Sequence, residues 1–363
     1  MRSSIKQKRS RKGAILIATL GLILLMTILV VEFLKLSFSE LKRLSLEADQ
    51  DELRAYAYSS LEITLAVLAE IKTLDGGLFT PAQGWGTPLA YAAVEFPEDI
   101  KVQVRIEDLS GKVPLSLRTD PTILNTFFEK LGFSSSDANT LTDSLLDWVD
   151  EDDNARLNGA ESSYYERKDP PYKPTNEPLT NYEELHYIQG FEELFFDENS
   201  VPNEAFAKLK DNTTLAGTGP INVNTASPIV LEVLEDVANI DRQSILDKRE
   251  QYANGSINAS EAMLKSNKDL NLAVQEGTSK EKPFYGFNST LLKVNIRAYH
   301  GDNLFELNTL LEASASSASK DKKNNQKSSN KSTNNTSEDA QNKPNAKSST
   351  FTILKLVENA PLD

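Results

Sequence analysis

The stretch Asp147-Trp-Val-Asp-Glu-Asp-Asp-Asn154 concentrates the oxygen donors of this chain. Carboxylates crowded at the end of a predicted helix, where the helix dipole is already negative, repel one another unless a cation neutralises them. Hard oxygen donors packed this way suit calcium. With Asp150 as the first position of a loop, Asp152 and Asn154 fall third and fifth, the backbone of Arg156 seventh, and Glu161 twelfth, which is the ligand register of a helix–loop–helix calcium site. Two features depart from that pattern: Ala155 stands where the loop needs glycine, and Asp169-Pro-Pro171 interrupts a following helix. The sequence therefore predicts calcium held by oxygen ligands of this loop, with Asp150, Asp152, Asp153, Asn154 and Glu161 as candidates, in a geometry other than an EF-hand. A solvated acidic loop is the competing reading of the same residues.

Other chemistry is sparse. His186 and His300 are the only histidines and read as surface residues. No nucleophile elbow or phosphate loop occurs, and in so acidic a chain carboxylate pairs carry no signal. No catalytic residue is assigned and an enzyme is not expected. The segment Ile221 to Leu234 resembles the opening of helix-hairpin-helix DNA-binding modules, but its hairpin, Val237-Ala-Asn-Ile240, lacks glycine, and Glu232, Glu235 and Asp236 would repel phosphate. The net charge of −14 includes six cations clustered ahead of Gly13, so the body is more acidic still and nucleic acid is not an expected partner. With no cysteine, no disulfide supports the fold.

The elements that must position the acidic loop begin at the membrane. Arg2, Lys6, Lys8, Arg9, Arg11 and Lys12 precede an uncharged run from Ala14 to Val31, long enough to cross most of a hydrocarbon core of roughly 30 Å as a helix. The positive-inside bias keeps the basic end cytoplasmic and sends the rest across the inner membrane. A secretory signal would carry small residues at the far end of the run, where this chain has Val30-Val31-Glu32. The small residue lies instead at Gly13, where a cut would leave the apolar helix on the mature protein. Leu41, Leu44, Leu53, Ala57, Leu61, Leu65, Leu68 and Ile71 extend the helix as an amphipathic stripe as far as Ile71, ended by Asp75-Gly76-Gly77.

Strict alternation over Ile100 to Ile106 predicts a strand, turned by Asp108-Leu-Ser-Gly111. Helices are expected at Thr122–Leu131, at Ser136–Val149 with Ser136 as cap, and at Asn181–Ile188 with Asn181 as cap. Between the last two, Asp150 to Leu179 is too long a structureless loop for a compact domain unless something holds it. Thr225 or Ser227 can cap a helix starting at Pro228. Strands follow at Leu292–Ala298 and Leu304–Leu310. The tract 313–350, rich in Ser, Asn and Lys, cannot bury enough apolar surface to order itself, and Phe351–Val357 is expected to pair back as a last strand.

The leader Arg11-Lys12-Gly13 followed by Ala14 resembles type IV prepilin leaders, which are cut after the glycine and methylated on the new amine. Taken with Asp108-Leu-Ser-Gly-Lys-Val-Pro-Leu115, Leu145-Leu-Asp-Trp-Val-Asp-Glu-Asp-Asp153, Tyr164-Tyr-Glu-Arg-Lys-Asp-Pro-Pro-Tyr172, Asn176-Glu-Pro-Leu179 and Asn222-Val-Asn-Thr-Ala226, the chain resembles the K-type minor pseudopilins of type II secretion systems from residue 11 to about 250. The resemblance implies an α+β, pilin-like fold, with a long N-terminal helix packed on an antiparallel sheet and an inserted all-helical domain. Its divisions would be a leader (1–13), a membrane and assembly helix (14–35), a pilin-like part (36–115), the insertion (116–216), a return to the pilin-like part (217–312), a disordered tract (313–350) and a final strand (351–363). It also implies a place at the tip of a periplasmic pseudopilus with the I and J subunits, initiation of its assembly with the major pseudopilin, processing by the prepilin peptidase, and calcium in the acidic loop. Most pilins carry Glu as the fifth mature residue; here that position is Ala18, as suits a first subunit with no predecessor's amine to neutralise. The alternatives are a minor pilin of a type IV pilus and a membrane-anchored DNA-binding protein.

Overall fold

The computed structural model describes residues 11–116, 119–217, 219–270, 284–313 and 351–362, leaving aside the side chains of 11–15 and 44–48. Most of the basic leader, the tract 314–350 and the side chains of Ala14 and Leu44 lie outside the described residues.

Helix α1 spans Arg11–Asp75 without a break. Its segment Leu16–Arg43 is long and apolar enough to cross a membrane, and Ala18 lies exposed within it. The packed stripe begins later than the spacing suggested. Leu41 is 62% exposed, whereas Leu53, Ala57, Leu61, Leu68 and Ile71 are buried. They meet Val294, Ile296, Leu307 and Leu311 of the sheet in one core, each large side chain contributing about 1.5–3 kcal/mol by leaving water. Gly76 ends the helix at φ +80°, a left-handed turn that side chains disfavour.

The sheet has four antiparallel strands in the order β1 (Ile100–Asp108), β2 (Leu291–His300), β3 (Asn303–Ala313) and β4 (Phe351–Glu358). Along β1, Lys101, Gln103 and Arg105 face water while Val102, Val104 and Ile106 lean on the core under α1. The last strand pairs back on β3 as expected, with Ala313 opposite Phe351.

Everything between β1 and β2 is an insertion whose two ends meet, because Asp108 pairs with Leu292. Its helices are α2 (Pro121–Lys130), α3 (Ser135–Val149), α4 (Glu204–Asn212), α5 (Pro228–Ala238) and α6 (Arg242–Ala253). Side-chain caps start most of them: Asp120 accepts from the Thr122 amide at 2.8 Å and Asn203 from the Phe206 amide at 3.1 Å, and Ser227, one of two expected candidates, caps α5. For α3 the cap is Ser134 rather than Ser136, since Ser134 is the extended residue whose hydroxyl accepts from the Asp137 amide. Tyr182–Tyr187 forms a 3₁₀ segment behind Asn181, and Phe191–Phe195 and α4 were not anticipated. Two short parallel ladders, Val113–Pro114 with Thr213–Thr214 and Ile221–Asn222 with Tyr285–Gly286, make the insertion less than purely helical.

The expected return to the sheet at 217 does not occur there. Val230, Leu231, Val233 and Leu234 of α5 are buried in the same core as Phe127, Phe128, Phe191 and Phe195, so the helical body continues until β2. In the α5–α6 hairpin, Asn239 supplies the left-handed turn at φ +53° that glycine would otherwise provide, and Arg242 pairs with Glu232 at 2.9 Å and Glu235 at 3.1 Å.

A single carboxylate ties the insertion to the sheet. Asp108, 9% exposed, accepts on Oδ2 from Asn222 Nδ2 (2.8 Å), Thr225 Oγ1 (2.6 Å) and Ser289 Oγ (2.6 Å), and on Oδ1 from the Ser110 amide (2.9 Å). Asn222 also donates to the Phe79 carbonyl at 3.0 Å, joining the turn after α1. Gly111 presses on the same motif: a Cβ there would lie 2.5 Å from Thr225 Oγ1 and 2.9 Å from the Ala226 amide. Because bonds to a charged acceptor are each worth about 1.5–3 kcal/mol, Asp108→Asn is expected to cost roughly 2–4 kcal/mol in denaturant unfolding. The half-exposed neighbour Glu107, paired with Lys112, should cost under about 1 kcal/mol as Glu107→Gln. Equal losses for the two variants would contradict this assignment.

Candidate metal centre

Helix α3 presents Asp143 and Asp147 one turn apart, and Asp150 follows three residues on, at the helix end. The chain then folds back onto α3. Asp143 Oδ2 accepts from both the amide and Nδ2 of Asn158, at 3.0 and 2.9 Å, and Asp147 Oδ2 accepts from the Arg156 amide at 3.0 Å. Gly159 passes so close that a Cβ would overlap Asp147 Oδ2, which requires glycine at this point. This return delivers Glu161 to the helix end.

Asp147, Asp150 and Glu161 thus converge, each offering an oxygen within 4.8 Å of the others, and all three are buried. Arg156 bridges two of them through Nη1, to Asp147 Oδ1 at 2.5 Å and Asp150 Oδ2 at 2.6 Å. The third has no such relief. Glu161 is 3% exposed, and both of its carboxylate oxygens lack a hydrogen-bond donor, as does Oδ1 of Asp150. Burial, then the negative charges of Asp147 and Asp150, pushes the Glu161 carboxyl up to about 7. Burial likewise raises Asp147, against the opposing pull of Arg156.

The loop register read from sequence places its residues differently. Asp150 and Glu161 join the centre, whereas Asp152, Asp153 and Asn154 are exposed. Asp152 accepts from the amide and side chain of Asn154, both at 2.8 Å, and Asp153 from the Ser162 amide at 3.2 Å. Asp147 takes the place they leave; its three-residue spacing from Asp150 was the available signal. A single helical turn, Ser162–Tyr165, does follow Glu161 despite the prolines further on.

An aromatic wall holds the rest of the long stretch. Trp148 meets Tyr165 edge-on at 5.2 Å, Tyr165 lies 5.3 Å from Tyr172, and Tyr172 donates to the Tyr187 carbonyl at 2.9 Å. The Asn176 amide donates to the Trp148 carbonyl at 3.1 Å. Neither histidine joins the site. His186 stands 3.9 Å from Glu192, and His300 stands between Asp49 and Asp99 at 3.8 and 3.4 Å.

Residues 111–198, which contain the whole acidic centre, match the family model described as type II secretion system (T2SS), protein K. A type II secretion system protein K of Klebsiella pneumoniae is 32% identical over 127 residues, covering 35% of either chain. One from Pseudomonas aeruginosa is 26% identical over 180 residues, covering 46% of this chain and 49% of its own. The matched regions thus span half or less of these relatives. A chain of the solved GspK-GspI-GspJ complex from the type 2 secretion system of enterotoxigenic Escherichia coli shares the fold, with a TM-score of 0.56 at 16% identity, over 88% of this chain and 100% of that one. The matched domain at residues 111–198 and the shared fold thus liken this chain to type II secretion system protein K.

Proposed function

We propose that the chain is a minor pseudopilin that caps the periplasmic pseudopilus of a type II secretion system, starts its assembly and acts by packing rather than by catalysis. The observation that carries this reading is the pairing of one uninterrupted helix, apolar and exposed over Leu16–Arg43, with a large insertion between β1 and β2 that carries the protein K domain. The apolar segment serves both as membrane anchor and as the surface that packs against neighbouring subunits. The insertion adds bulk that stops another subunit from stacking above. Subunits of the I and J types are the nearest partners on this reading, since the solved complex of the same fold contains them. The major pseudopilin and the prepilin peptidase follow from the Gly13–Ala14 junction. Exposed Ala18 leaves no carboxylate to seek a predecessor's terminal amine, as fits the subunit that goes in first. Mass spectrometry of the membrane-extracted protein is expected to find a mature chain starting at methylated Ala14. A chain starting at Met1 would contradict the reading.

The acidic centre fits a bound calcium ion. Three buried carboxylates face one guanidinium, and three of their oxygens have no donor. Oxygens on opposite sides of one calcium ion lie about 4.6–5.2 Å apart, so a cluster within 4.8 Å spans a single ion without rearrangement. Asp147, Asp150 and Glu161 would hold it, and the ion would fix the return of the loop onto α3.

Chelation is expected to lower the melting temperature of the detergent-solubilised protein. A hundredfold excess of calcium over its dissociation constant adds about 2.7 kcal/mol. Glu161→Gln should abolish the effect, while Asp152→Asn should leave most of it. Identical melting with and without chelator would leave the centre metal-free.

In chelator, the raised Glu161 carboxyl gives a second expectation. Its neutral form suits the buried site, so its contribution to stability is complete below about pH 4.5 and is lost as pH rises through about 7. Between pH 5 and 8 the chelated wild type should lose more stability than Glu161→Gln. Parallel pH profiles for the two proteins would contradict the burial of a neutral carboxyl here.

A further inference from the structure

A cleft of about 500 Å³ opens on the seam between sheet and insertion, away from the acidic centre. Its walls come from the Thr80–Ala82 turn, the start of the insertion at Gly111 and Lys112, the Asn224–Thr225 motif, and α6, including Arg249. That volume is typical of a small-ligand site.

Arg249 is the anomaly in this cleft. Its Nη1 donates to the Ala226 carbonyl and its Nη2 to the Val223 carbonyl, both at 2.7 Å, while Nε is buried with no acceptor. Among the described residues no carboxylate pairs with it. Burial alone pulls its pKa down to about 10. A guanidinium withdrawn from water needs an anion or a full set of acceptors, and two carbonyls leave the charge unbalanced. Of the other charged groups along the cleft, Asp211 is exposed, and two are held by neighbours. Lys112 is held by Glu107 at 2.6 Å, and Asp108 is saturated by its donors.

We propose that this cleft binds a carboxylate, received by the Arg249 guanidinium. One negative charge balances one guanidinium, and the planar fork of arginine matches the two oxygens of a carboxylate. A phosphate dianion is disfavoured, because Glu107 and Asp211 also line the cleft. The carboxylate can come from a small organic acid or from an acidic side chain or C-terminus of a polypeptide. The cleft sits where the insertion is stitched to the sheet, so its occupant would clamp the two together.

The test is thermal melting of the detergent-solubilised full chain at constant ionic strength and without added calcium, which phosphate would precipitate. Sodium acetate and the peptide acetyl-Gly-Glu-Gly-amide are titrated separately, with sodium chloride and sodium phosphate as controls. A saturable rise in melting temperature with acetate and peptide, exceeding that with chloride or phosphate, is the expected result. A rise with the peptide alone identifies the source as polypeptide, and a rise with acetate alone identifies it as a small acid. Arg249→Gln should abolish the response. Because that variant also loses a clamp on two carbonyls, Ala262→Phe, which fills the cleft and leaves Arg249 in place, should abolish it too. No saturable response in the wild type overturns the proposal, as does a response that survives both substitutions. A larger shift with phosphate would overturn the choice of carboxylate.

Discussion

The architecture depends on one buried carboxylate, Asp108, and on the donors that converge on it. Asn222 and Thr225 come from one motif and Ser289 from another segment, all more than 100 residues from Asp108 in the chain, and none of them brings a positive charge. A carboxylate stripped of water survives only when its oxygens are filled, so the native arrangement is the one in which all these segments arrive together. Gly111 allows the approach, since any side chain there would strike the backbone of Thr225 and Ala226. Asn224 extends the stitch. It bonds the carbonyls of Leu264 and Phe287 at 2.8 and 2.9 Å and receives the Leu264 amide at 2.9 Å. The large helical insertion is thereby held to a four-stranded sheet and to the end of α1.

The acidic centre follows the opposite rule. Asp108 is satisfied by neutral donors, whereas Glu161 is buried among like charges with no donor. The first arrangement is complete within the chain, and the second leaves both oxygens of Glu161 without a donor. This difference separates the two buried carboxylates, although neither is distinguished by residue type. It also accounts for a loop too long to be structureless. Hydrogen bonds from Asn158 and Arg156 to α3 fold it back, and the aromatic wall around Tyr165 closes the remainder.

Local rules were legible from the residues. Alternation marked β1, Asn181 and Ser227 sit where caps are needed, and the apolar run before Glu32 reads directly as a membrane-length helix. Relations across the chain were not. Asp108-Leu-Ser-Gly111 and Asn222-Val-Asn-Thr-Ala226 stand out as motifs, but nothing in a linear reading says that they touch. The resemblance set the end of the insertion at 216, yet the apolar face of α5 belongs to the helical core. The linear ligand register placed Asp152 and Asn154 at the centre. The loop instead returns to α3, so helical spacing selects Asp147 and the exposed residues bond one another.

The central claim is that the Asp108 stitch makes sheet and insertion one cooperative unit. Native-state hydrogen exchange, resolved by peptide mass spectrometry, tests it most directly, because cooperative units open with a shared free energy. In the wild type, amides of β1 and of α5 should exchange through one common opening, and in Asn222→Ala those of α5 should exchange faster than those of β1. Separate opening energies for β1 and α5 already present in the wild type would contradict the account.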